Sequence, residues 1–354
     1  MNGGLDWGCP YPVDAAAGQV TLLHGEGGRA SREFLRRWIH ARFSVSDFGT
    51  DRGGWSDAAR LDSGVASLAF TTDSFVVSPL FFPGGDIGRL AVVGTANDLA
   101  MVGARPRWLS LSLLIEEGLS LETLERVLES VRVTALELAV TVVTGDTKVL
   151  PRGAVDQLYL NTSGIGQLQL SEHAPSGALT PGDELLVSGP IGQHGMAVMA
   201  ARESLGLASD LRSDCGSLWP VVRALQTAGV PYKYLRDATR GGLAAVLHEW
   251  AEGSGLTMAI DELAVPVSSA VRGMSELLGI DPMFSANEGT MVIAVPPGWT
   301  DRCLSVCRQV PISRQAAAIG QVTARGSAAV TVVRSLGRPL PLDEPTAALL
   351  PRIC

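Results

Sequence analysis

Apolar positions along this chain alternate between two rhythms, short strand-like runs and longer stretches at helical spacing, from about residue 64 to residue 333. "VASLAFTTDSFVVSPL" reads as a strand interrupted by an acid, and the Pro/Gly turn "FFPGGD" follows it. "IGRLAVVGTANDLAMVGA" predicts a buried helix and "RWLSLSLLIEEG" a second strand. Residues 121–138 place Leu124, Val127, Leu128, Val131 and Leu138 on one side of a helix. "AVTVVTGDTKV" then predicts a buried strand running into a polar turn, and "VDQLYLNTSGIGQL" a further strand. The alternation predicts an α/β domain ending near residue 170.

"SGALTPGDELLVSGPIG" is a Pro/Gly-punctuated restart, and the same rhythm resumes after it. Strands are predicted over 184–188, 256–260, 291–295 and within 317–333, and helices over 196–205, 218–228, 242–251, 267–278 and 302–307. The first fifty residues are irregular apart from an amphipathic helix over 31–43, with Ser31 as N-cap and Phe34, Leu35, Trp38 and Ile39 as its stripe. After Val333, "SLGRPLPLDEPTAALLPRIC" has four prolines and no amphipathic period, which predicts an unpacked tail. Fully extended, it would reach on the order of 60 Å. The expected organisation is an N-terminal extension and glycine loop over 1–50, α/β domains over 51–172 and 180–334, and a flexible tail over 335–354.

A length of 354 residues agrees with two domains, and 46% hydrophobic content supports a core in each. The net charge of −8 argues against a nucleic-acid or anionic-membrane binder. No hydrophobic run reaches a membrane span, and the N-terminus lacks the basic start and apolar core of a signal peptide, so the cytoplasm is the expected compartment. Five scattered cysteines make no disulfide framework; Cys303 and Cys307 share a helical face and read as reduced, structural residues. HExxH, CxxC and GxSxG are absent.

The chemistry-bearing residues gather at glycine-rich or acidic turns beside apolar segments. "HGEGG" contains His24, Gly25, Gly27 and Gly28, a loop whose amides could close over phosphates or form a plain turn. Asp73 interrupts an apolar strand, Asn97 and Asp98 sit in a buried helix, and "TGDTK" supplies Asp146 and Lys148. "ANEGT" supplies Glu288, and "DATRGGL" supplies Asp237 and Arg240 before a helix start suited to anions. Buried carboxylates are costly unless paired with cations or metal. Several carboxylates, one lysine and glycine loops are what a magnesium–nucleotide site would use. The bland alternatives are turn caps and ion pairs, and the residues alone leave both open.

At these motifs the chain resembles the carbamoyl dehydratase (HypE) family of nickel–iron hydrogenase maturation, part of the PurM-like, aminoimidazole ribonucleotide synthetase-related superfamily. The resemblance is carried by "HGEGG", "FTTDSFVVSPLFFPGGDIGRLAVVGTANDLAM", "TGDTKVLPRGAVDQLYLNTSGIG", "RDATRGGLAAVLHEW", "PVSSAVRGMSELLGIDPMFSANEGTMVIAV" and the terminal "PRIC". It implies a PurM-like α/β (α+β) fold whose N-terminal domains form the core of a homodimer, with ATP near the interface. It also implies that a HypF-type carbamoyltransferase carbamoylates Cys354, that ATP drives dehydration to a thiocyanate, and that the cyano group passes to iron on a HypC–HypD complex. By motif position it assigns Asp73, Asp98 and Asp146 to Mg²⁺ and ATP, with Asn97 beside them. Lys148 would face phosphate or the activated oxygen, His24 and the following glycines would cover the phosphates, and Arg240 would contact phosphate. Glu288 is the expected base.

Glu26 departs from the family pattern, being a carboxylate in a loop that should face phosphates. Two alternatives remain: another PurM-like enzyme that activates an amide oxygen of a small molecule, or a non-enzymatic chain whose end serves as an anchor or docking peptide. Cys354 is the last residue, which does not match the CaaX lipidation pattern.

Overall fold

The computed structural model describes residues 28–34, 36–37, 58–62, 67–168, 178–203, 210–334 and 337–344. In the first half, α1 (Gly28–Phe34) precedes β1 (Ala59–Asp62), β2 (Ser67–Phe75), the small hairpin β3 (Phe81–Phe82) and β4 (Gly85–Asp86), and α2 (Ile87–Met101). β5 (Ala104–Glu116), α3 (Leu121–Glu137), β6 (Thr141–Leu150) and β7 (Leu158–Leu168) follow. The five long strands form a sheet in the order β1-β2-β7-β5-β6, parallel only between β5 and β6.

Strand alternation explains which face is covered. Leu158, Leu160 and Thr162 of β7 are buried while the residues between them are half-buried, so every second side chain turns toward α2. α2 itself is buried over nearly its whole length, as its apolar sequence predicts, and starts where the Asp86 carboxylate caps the Gly88 and Arg89 amides. α3 is amphipathic; Val127 and Val131 are buried, but Leu128 is exposed although its spacing placed it inward.

The strand expected to be buried over the "TVVTGDTKV" stretch is instead an exposed sheet edge. β6 continues through the predicted turn and, among the described residues, pairs with β5 on one side only; Val142, Val143 and Val149 are 38%, 59% and 67% exposed. An apolar run signals that something covers a surface, and not that the cover comes from the same chain.

The second half contains β8 (Glu184–Val187), α4 (Gln193–Arg202), α5 (Trp219–Thr227), β9 (Tyr234–Asp237), α6 (Gly242–Ser254) and β10 (Thr257–Asp261). α7 (Ser269–Leu278), β11 (Met291–Val295), α8 (Thr300–Cys307), β12 (Ala317–Thr323), β13 (Val330–Val333) and β14 (Pro339–Pro341) complete it. Its sheet runs β14-β13-β10-β12-β8-β11-β9, with β11 wholly buried between β8 and β9. Cys303 and Cys307 are free and buried in α8, as expected of structural thiols.

The segment after Val333 is also packed more than its prolines imply. β14 pairs with β13, Leu342 is buried, and its carbonyl accepts a hydrogen bond from His248 Nε2 at 2.9 Å. Arg32 of α1 grips Glu344 with both guanidinium amines and reaches Glu252 of α6 at 3.1 Å. Proline tolerates an edge strand, so β14 can close the sheet without an amphipathic signature.

α2 joins the two halves. Its Ala100 and Met101 share a core with Leu186, Trp219, Met291 and Ile293, while Val93 shares one with Phe75, Cys215 and Ala286.

Candidate active site

Glu288 lies at the junction of the two halves, in a turn whose polar groups are held on several sides. Asn287 is completely buried: its Oδ1 accepts from the Gly192 amide at 2.6 Å, and its Nδ2 donates to the Ala238 carbonyl at 2.8 Å. Asp214 accepts from the amides of Glu288 at 2.9 Å and Gly289 at 3.0 Å and from the Thr290 hydroxyl at 3.0 Å. A Cβ on Gly289 would stand 1.9 Å from the Asp214 carbonyl oxygen, so only glycine fits this close approach. The Glu288 carboxyl lies over α2, where a Cβ at Gly94 would come within 3.9 Å of one of its oxygens.

Glu288 is only 4% exposed. Burial, and then the neighbouring Asp237, Asp214 and Asp73, push its carboxyl well above the usual range, and Arg240 opposes them. Burial also raises Asp73, against the pull of Arg240, and pushes Asp237 up to about 6. The site is therefore a group of carboxylates with increased proton affinity and a nearby guanidinium. Raised proton affinity of this kind is what a general acid or base uses. Asp237 ends β9, and its successors Gly241 and Gly242 have positive φ and open α6.

The other predicted residues do not all converge within one chain. Asp98 accepts a hydrogen bond from the Thr71 hydroxyl at 2.8 Å, and Thr71 and Asp73 share the α2-facing side of β2. Asp146 and Lys148 lie on β6, on the opposite sheet face, with Lys148 Nζ 3.4 Å from Asp146. The register Ser74–Asn161–Ser112–Asp146 separates β2 from Asp146 by three strand spacings, about 14 Å. Among the described residues, no three of His, Cys, Asp and Glu are gathered to hold a metal ion. An ion that takes one or two carboxylates and fills its shell with phosphate oxygens and water does not require such a set.

Asn97 requires a correction. It is 1% exposed, its Nδ2 donates to the carbonyls of Gly216 at 3.2 Å and Glu288 at 3.3 Å, and its Oδ1 accepts from the Leu218 amide at 2.8 Å. With both amide hydrogens and its oxygen engaged by backbone, Asn97 joins the halves and does not present itself to a nucleotide. Sequence reasoning passed over Asp214, whose surroundings "LRSDCGSL" carry no motif, and left Asp237 without a role. Buried Asp237 sits at a strand end next to a glycine pair, a signal that could have singled it out. His24, Gly25, Gly27, Glu26 and Cys354 lie outside the described residues; Gly28 begins α1.

Comparisons with known proteins cover the same two halves. The N-terminal domain of the AIR synthase related protein family matches residues 55–168, and its C-terminal domain matches residues 180–333. Carbamoyl dehydratase HypE of Escherichia coli (strain K12) is 45% identical over 341 residues, covering 95% of this chain and 99% of that protein. A crystal structure of hydrogenase maturation protein HypE in complex with ATP superposes with a TM-score of 0.77 at 43% identity, over 95% of this chain and 100% of that one. The structure of a HypE–HypF complex gives a TM-score of 0.78 at 39% identity, over 89% of this chain and 99% of that one. Among the described residues no helix is long and apolar enough to cross a membrane.

Proposed function

This chain belongs to the carbamoyl dehydratase HypE family, and from that premise we propose that it converts the S-carbamoyl group on Cys354 into a thiocyanate, using ATP. The product supplies the cyanide ligand of nickel–iron hydrogenase. The thiocarboxamide oxygen attacks the γ-phosphorus of ATP and ADP leaves. Both N–H protons are then lost and phosphate departs from carbon, which leaves a C≡N bond on sulfur. The amide provides the elements of water that would otherwise hydrolyse ATP, so the products are thiocyanate, ADP, phosphate and a proton.

Phosphoryl transfer of this kind needs positioning and charge neutralisation, and elimination needs a base. The observation that carries the proposal is the Glu288 carboxyl, buried yet held at the junction of the halves by a turn anchored through Asn287 and Asp214. Its raised proton affinity suits removal of an N–H proton from the bound tail. Arg240 acts on this carboxyl, and Arg240 and the opening of α6 would offer positive charge to phosphate. Asp73 and Asp98 would hold Mg²⁺, which would neutralise phosphate charge, and His24, Gly25, Gly27 and Gly28 would cover the phosphates.

Asp146 and Lys148 complete this arrangement across a homodimer. Among the described residues their sheet face and the outer edge of β6 are uncovered, and Phe70, Ile165 and Trp108 form an apolar row across that face. Packing that face and edge against a second copy would bury exposed valines and bring Asp146 and Lys148 to the partner's ATP. A HypF-type carbamoyltransferase loads Cys354, as the complex solved for a relative supports, and a HypC–HypD complex receives the cyano group. The tail is pinned as far as Glu344, so ten further residues reach Cys354, a span of at most about 35 Å.

The test uses full-length protein carbamoylated on Cys354. Mass spectrometry of its C-terminal peptide is expected to show loss of one water only with ATP and Mg²⁺ present. Water loss without ATP, or hydrogenase maturation in cells carrying only Cys354→Ala, overturns the proposal.

A further inference from the structure

We infer that Asp214 is a positioning residue for dehydration, holding the Glu288 turn and its carboxyl against α2. The inference rests on the reading of Glu288 as the base. Asp214 belongs to residues 210–218, an irregular segment of the second half inserted between that turn and the first half. The segment is fixed along its length. The Ser213 amide donates to the Pro83 carbonyl at 2.8 Å, and the Ser213 hydroxyl bonds His194 Nδ1 at 2.8 Å. Arg89 Nε donates to the Cys215 carbonyl at 3.1 Å, and Asn97 holds Gly216 and Leu218. A Cβ on Gly84 would stand 2.7 Å from the Ser213 backbone, so the contact between the halves is backbone to backbone.

Both Asp214 oxygens are used on the turn: Oδ1 takes the Glu288 amide, and Oδ2 takes the Gly289 amide and the Thr290 hydroxyl. An asparagine could not replace it, because its NH₂ would face a backbone N–H in either orientation. Burial penalises this carboxylate, and the three donors oppose the penalty. A neutral side chain could cap a turn with less desolvation. What aspartate adds is a rigid two-point grip next to Glu288. Because a displacement of about 1 Å at a reacting group can cost about 100-fold in rate, that grip links the fit between the halves to the chemistry.

The experiment compares Asp214→Asn, Glu288→Gln and the double variant in full-length, Cys354-carbamoylated protein. It reads the single-turnover rate of water loss and, separately, affinity for a non-hydrolysable ATP analogue. Asp214→Asn is expected to slow water loss about 100-fold while analogue affinity changes less than about threefold. Since Asp214 acts through Glu288, the double variant should be no slower than Glu288→Gln alone, within about threefold. A near-wild-type rate for Asp214→Asn, or losses that multiply in the double variant, overturns the inference while leaving Glu288 as base. Full activity of Glu288→Gln instead overturns the reading of Glu288, and the inference with it. If Asp214→Asn does not fold, Thr290→Val removes one of the three donors and keeps both backbone bonds. It should be about threefold to tenfold slower at unchanged analogue affinity, and a wild-type rate overturns the inference.

Discussion

β6 and the Glu288 turn carry chemistry of equal interest under opposite physical conditions. On β6, the side chains of Asp146 and Lys148 are 61% and 68% exposed and pair with one another. In the turn, Ser285, Asn287, Glu288 and Thr290 are buried, and residues from four separate stretches of chain hold them. The turn is built by one chain. Among the described residues, β6 leaves its valines, its outer edge and its charged pair exposed. The difference teaches where to look for an interaction surface: an exposed edge strand rich in valine is where the proposed second copy would pack.

Substitutions that separate stability from activity test this contrast most strongly. Glu288→Gln should slow single-turnover dehydration by about 100-fold or more, the range expected for loss of a general base. Its fold should be no less stable. A carboxyl whose folded value is raised contributes stability below the unfolded value and loses it as pH rises, and glutamine does not ionise. Lys148→Ala should match that rate loss with no shift in unfolding midpoint, because an exposed pair contributes little to stability. A fully active Lys148→Ala would remove β6 from the mechanism.

Gly289→Ala should be the costliest change to the fold, by about 3 kcal/mol or more in chemical denaturation, since its Cβ meets backbone at 1.9 Å. Thr147→Ala on the exposed strand should stay within about 0.5 kcal/mol. Equal effects would mean that β6 is as tightly built as the turn.

Val143→Lys tests the proposed cover. Sedimentation should show a dimer for the unaltered protein and a monomer for Val143→Lys, while Leu263→Lys, also highly exposed but on the second half, should still sediment as a dimer. A dimeric Val143→Lys would place the interface elsewhere.

The effect confined to a pH window concerns Asp237. Its folded value of about 6 lies above the unfolded value near 4, so the wild-type fold is favoured below about pH 4 and loses that stability as pH rises to 6. In nucleotide-free protein, Asp237→Asn should gain on wild type across that window by about 3 kcal/mol and hold the difference constant above it. A difference independent of pH would show that Asp237 does not titrate as the geometry implies.

Much of this was legible in the residues. The strand β11 and the buried helix α2 were predicted from their apolar residues, even though Asn97 and Asp98 interrupt the run in α2. The role of Asn97 was not legible, because a buried asparagine next to an aspartate looks the same whether it faces a ligand or a carbonyl. Nor was Asp214, whose partners are more than seventy residues away in sequence. The packing of Leu342 and Glu344 was hidden behind prolines.

By itself, then, the sequence determined the order of strands and helices, the two-part organisation, the family and the chemistry that its motifs imply. Hydrophobic period, caps and turn residues act over a few positions, so they can be read locally. Only the tertiary structure decided that β6 is an edge, that Asn97 joins the two halves, and that Asp214 grips the Glu288 turn. Those outcomes depend on which backbone amides and carbonyls meet after the chain has folded back on itself, and no local spacing encodes that meeting.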